Sequence, residues 1–141
     1  MSLYGFPKEE HVCGKKDFQL LFKEGDVVFS ESVRMIVRSF PAQLFRLQAG
    51  MVVPKKIFRH AVDRNRVKRL LREAYRHHKP SFAALIQKGA PKHWQLLFLY
   101  TGRELPSFQS VEDGFNTLLN KFKKRLAVES GKKNATDLQN V

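Results

Sequence analysis

The sequence is short of acid, of cysteine and of long apolar runs, and each shortage excludes something. Its only cysteine is Cys13, so an internal disulfide cannot form, and the Cys/His spacing of a zinc site does not occur. A reducing, cytoplasmic setting follows. No apolar run approaches the roughly 18 residues of a membrane span, and mean hydropathy is -0.39. The first ten residues lack a basic stretch followed by an apolar one, so they do not pattern as a signal peptide. Catalytic constellations are missing too. His77 and His78 are adjacent and should leave a helix in different directions, His60 and His93 stand alone, and no nucleophile elbow, metalloprotease signature or phosphate-binding loop is present. Neither a catalytic residue nor a metal site is therefore expected in the protein itself.

What is abundant is positive charge. The 141 residues carry 26 Lys+Arg against 13 Asp+Glu, a net charge of +13, and the pI is near 10.2. Such an excess calls for a polyanionic partner, either nucleic acid or an anionic membrane surface. With 43% hydrophobic residues, 12 of them Phe, the chain is too apolar for a disordered polycation. A chain of this size buries about two thirds of its unfolded surface without a staple. One domain over 1–128 is expected, followed by a basic, polar tail over 129–141 that reads as disordered.

Periodicity predicts an αββ(β)αβα order. Residues 15–24 place Phe18, Leu21 and Phe22 at helical spacing and end at Gly25, a residue suited to the left-handed position that closes a helix. Residues 33–40 and 45–53 alternate as strands around a turn at Pro41, and 27–29 is a short strand candidate. A second helix carries Val67, Leu70, Leu71, Ala74 and Tyr75 on one stripe, and Pro80 should stop it. The apolar run 94–100 fits a strand covered on both faces. A third helix should open at Ser110, with Asp113 completing a capping box.

Charge is concentrated between Lys55 and Lys79, where ten basic residues face only Asp63 and Glu73. Solvated helix faces usually interleave acids with bases, and this one does not. The guanidinium forks of Arg64, Arg66, Arg69 and Arg72 suit bidentate phosphate contacts, and Asn65 suits a base edge or a 2′-hydroxyl. Lys55 and Lys56 stand where the preceding strand hands over to this helix. Phe18 and Phe22 share a helix face, as either a core pair or a stacking platform for single-stranded bases.

The run from Ala49 to Arg76, with Lys55-Lys56 after a strand and Arg64-Asn65-Arg66 opening a helix, resembles the bacterial ribonuclease P protein subunit. The segment from Lys16 to Gly25 is similar to that family's first helix, and the resemblance extends over about residues 6–127. It implies a two-layer α/β sandwich, αβββαβα, with an unusual left-handed βαβ crossover around the Arg-Asn-Arg helix, against the usual right-handed rule. It also implies the activity. In that family the RNA subunit is the catalyst, cutting the 5′ leader from precursor tRNA with magnesium bound mainly by the RNA. By resemblance, Lys55, Lys56, Arg64, Asn65, Arg66, Lys68, Arg69 and Arg72 contact the catalytic RNA, and Phe18 and Phe22 line a cleft for the leader. The partners implied are the catalytic RNA and the precursor tRNA leader, with no membrane. A stand-alone nuclease and a ribosomal or other structural RNA-binding protein are the alternatives.

Overall fold

The structure, a computed structural model, describes residues 5–12 and 14–139, with side chains as far as Val128. Cys13 lies outside the described residues, as do the side chains of the stretch 129–141 expected to form the tail. After a single 3₁₀ turn at Lys8–Glu10 the elements are α1 (Lys15–Glu24), β1 (Asp26–Phe29), β2 (Val33–Pro41), β3 (Arg46–Val52), α2 (Ala61–Ile86), β4 (Lys92–Tyr100) and α3 (Phe108–Gln139). The four strands form one sheet in the order β1-β2-β4-β3. β1 and β4 pair antiparallel with β2, whereas β3 and β4 are parallel neighbours. A parallel pair needs a crossover, and α2 supplies it.

Strand alternation sends one set of side chains to each face. Met35 and Val37 of β2, Leu47 and Ala49 of β3, and Trp94, Leu96 and Phe98 of β4 meet Val67, Leu71, Phe82, Phe115 and Phe122 from α2 and α3 in the main core. Ile36 and Leu97 face the other way. There they pack with Val12 and with Leu21 and Phe18 of α1. Both faces of β4 are therefore covered, as its unbroken apolar run requires. The N-terminal segment closes the β3 edge, where the Val12 N–H donates to the Ala49 carbonyl at 2.9 Å.

Three local expectations change. Gly25 does follow α1, but its φ is -72°, so handedness is not its purpose. A Cβ there would run into Ile36 and the Leu21 carbonyl, and only glycine lets the helix end lie this close to β2. Pro80 does not stop α2, which continues to Ile86. An interior proline costs about 3 kcal/mol, but Phe82 and Ile86 beyond it are buried and contribute roughly 1.5–3 kcal/mol each. Burial wins. The third helix starts three residues earlier than expected because Ser107 is its cap, accepting the Ser110 N–H on Oγ at 3.1 Å. Ser110 answers by donating its hydroxyl to the Ser107 carbonyl at 3.0 Å.

Candidate nucleic-acid interface

The basic helix begins behind a short loop whose shape one arginine fixes. Phe58 is buried against Tyr100 and anchors the loop to the core. The Arg64 guanidinium reaches back and donates from Nη1 to the carbonyls of Phe58, at 2.8 Å, and Arg59, at 3.0 Å. One nitrogen of Arg64 is thus committed to holding the loop between Lys55-Lys56 and α2. Lys55 and Lys56 sit exposed on the turn that leaves β3.

Beyond Arg64 the apolar stripe of α2 is turned to the core, so the opposite stripe must face solvent. Asn65, Arg66, Arg69 and Arg72 are exposed, and none of the four has a hydrogen-bond or ion-pair partner among the described residues. Lys68 is half-buried on the flank of this stripe. Val62, 79% exposed, adds an apolar contact at its N-terminal end. Arg76 ends the stripe in a 2.6 Å ion pair with Glu73. Unpaired guanidinium groups spaced along one face suit a run of phosphates.

Three residues near the end of the basic stretch meet partners distant in sequence. Lys79 is buried and pairs with Glu10 while donating to the Gly5 carbonyl at 2.6 Å. His77 and His78 do leave the helix at different angles, yet α3 lies across them and brings Glu112 to both. Glu112 stands 2.8 Å from His78 Nε2 and 3.6 Å from His77 Nδ1. These contacts fasten α2 to α3 and to the N-terminus.

On the α1 side of the sheet the two phenylalanines part company. Phe18 is half-buried on the sheet, in room left by Gly50, whose Cβ would stand 3.5 Å from the ring. Phe22 is 55% exposed. Beside them the sheet has a polar floor that the sequence did not single out. Gln48 donates through Nε2 to the carbonyls of Glu9 and His11, and its Oε1 accepts from His93, at 2.8 Å, and Gln95. Phe40 lies against the His93 ring at 4.7 Å and beneath the Arg38 guanidinium at 4.9 Å. Burial, together with the charges of Arg46 and Arg38, lowers the His93 pKa below its ordinary value, and Asp17 opposes them. Alternation along β4 was the available signal, since positions 93, 95 and 97 share the face that α1 covers. This face of the sheet carries the exposed Phe22 ring and the cations Arg38 and Arg46 around a largely buried, hydrogen-bonded Gln48–His93–Gln95 set, and among the described residues it pairs no nucleophile with a base.

Comparison with known proteins points one way. The Ribonuclease P family model matches residues 6–123. The ribonuclease P protein component of Porphyromonas gingivalis is 34% identical over 112 residues, which cover 79% of this chain and 81% of that one. That of Nitrosococcus oceani is 38% identical over 76 residues, covering 54% of this chain and 62% of the relative. Among solved structures, the ribonuclease P protein of Thermotoga maritima is 26% identical with a TM-score of 0.60, over 79% of this chain and 96% of that one. The Staphylococcus aureus protein shares the fold at 21% identity and a TM-score of 0.56, over 82% and 97% of the two chains.

Proposed function

The chain belongs to the ribonuclease P protein family, the protein subunits of a ribonucleoprotein endoribonuclease that processes tRNA, and from that premise we propose how its surfaces divide the work. Its partner is the ribonuclease P RNA. The unpaired stripe of Asn65, Arg66, Arg69 and Arg72, with Lys55, Lys56 and Lys68 beside it, docks on that RNA. The observation that carries this reading is the stripe itself: four exposed polar side chains on one helix face, each without a partner among the described residues. Arg64 contributes chiefly by shaping the loop before the stripe.

The groove between α1 and the sheet takes the single-stranded leader of precursor tRNA. Phe22 offers a ring for stacking, and Phe18 supports it from the sheet. Two RNAs repel unless cations lie between them, and this chain carries cations on both surfaces. Among the described residues no group of three or more His, Cys, Asp or Glu is arranged to hold a metal ion. The reading leaves magnesium with the RNA component. Among the same residues no helix is long and apolar enough to cross a membrane.

The leader assignment is tested by Phe22→Ala in the reconstituted complex. Affinity for precursor tRNA should fall by roughly 1–3 kcal/mol per stacked base, with affinity for mature tRNA and the melting temperature unchanged. Equal losses for both tRNAs would remove Phe22 from the leader path.

A further inference from the structure

The face of the sheet opposite the leader groove carries a second opening. A cavity of about 750 Å³ lies between the end of α2, the far half of α3 and strands β1, β2 and β4. Its floor is apolar and partly aromatic, with Val37, Ile86, Trp94 and Phe122. Lys88, Lys92, Lys123 and Arg125 stand around it, against Glu24 and Asp26. None of the four cations makes an ion pair or hydrogen bond among the described residues. An occupant must therefore be apolar and flat on one side and anionic on the other. That size is within the range of cavities that hold small ligands.

We propose that this cavity binds one nucleotide of single-stranded RNA, the base on the Trp94 floor and its phosphates on the lysine and arginine rim. One detail of Trp94 supports a base. The Lys92 ammonium stands 5.8 Å from the centre of the indole ring and has no other charged partner there, so it can turn to a phosphate and yield the ring to a base. The site is separate from both the α2 stripe and the Phe22 groove. A strand held here would give the protein a third point of contact with RNA, on its far side.

Trp94 is the only tryptophan of the chain, so its emission reports this cavity directly. The full-length protein is titrated with a single-stranded adenylate hexanucleotide. Saturable quenching is expected, weakening as salt rises. The double variant Lys88→Glu/Lys92→Glu should raise the quenching midpoint by roughly tenfold or more, and Lys123→Glu/Arg125→Glu should do the same from the other wall. Arg66→Ala/Arg69→Ala should leave it unchanged. Melting temperature and binding to ribonuclease P RNA should be retained in both rim variants. Absent quenching, or quenching indifferent to both rim variants, overturns the proposal. So does quenching as strong with adenosine monophosphate or with an oligoglutamate peptide, which would make the occupant a free nucleotide or an acidic protein segment.

Discussion

Lys79 and Glu10 form an ion pair inside the protein, one from the last third of α2 and the other from the N-terminal 3₁₀ turn. Only 1% of Lys79 is exposed, and its ammonium also donates to the Gly5 carbonyl. The pair ties the N-terminal segment to α2. From there the segment passes along the β3 edge, where its carbonyls orient Gln48 and thereby His93 and Gln95. Glu10 also adds to the burial that pushes the Tyr75 hydroxyl well above the usual tyrosine range, so Tyr75 stays neutral.

Removing one partner of a buried pair strands the other, at a cost of about 3–5 kcal/mol. Lys79→Met should lower unfolding free energy by that amount in urea titrations, and Glu10→Gln in the same background should recover part of it. If Lys79 instead faced RNA, Lys79→Met would leave stability unchanged and weaken RNA binding.

Arg64 and its neighbours should separate by assay. Arg66→Ala and Arg69→Ala should each take about 0.7–0.9 from the slope of log affinity on log salt for ribonuclease P RNA, with stability unchanged. Arg64→Ala should cost roughly 1 kcal/mol of stability through the lost loop hydrogen bonds. A full phosphate's worth of slope from Arg64 with no stability change would assign it to RNA alone.

The elements that sequence made legible are those whose evidence is local. The three-to-four spacing around Leu21 and Val67 and the alternation of Leu47, Ala49 and Met51 mark α1, α2 and β3 without reference to anything distant. The stripe from Asn65 to Arg72 follows from the same periodicity, since a buried apolar face leaves the other face in water. Distant partners decided the rest. Nothing beside Pro80 in sequence says that Phe82 will find a core pocket, and nothing beside Lys79 names Glu10. The Gln48–His93 contact joins two strands that are neighbours only because α2 crosses between them.

Pro80 gives a direct check on that balance. Pro80→Ala restores a backbone N–H and removes a clash, gains set against about 0.4–1 kcal/mol from a freer unfolded chain. Stability should rise by about 1 kcal/mol or more. A fall would mean that the helix relies on the proline ring for packing.

His93 makes stability depend on pH. Its folded pKa lies below the unfolded value, so the unfolded chain binds more protons as acid is added. The contribution is present above about pH 6.5 and is lost as pH falls through the lower folded pKa. Melting temperatures of the native protein should therefore drop more steeply on the acid side of neutrality than those of His93→Gln. Parallel curves for the two would show that His93 titrates alike in both states.

This chain serves tRNA processing as the protein subunit of ribonuclease P, and cleavage of precursor tRNA by separated and combined components shows whether it acts through the RNA. At low magnesium, the combination of protein and ribonuclease P RNA should release the 5′ leader much faster than the RNA alone, and the protein alone should release none. Replacing Arg66, Arg69 and Arg72 together with Ala should abolish the stimulation at moderate salt. Leader release by the protein alone, or equal rates with and without it, would rule out that role.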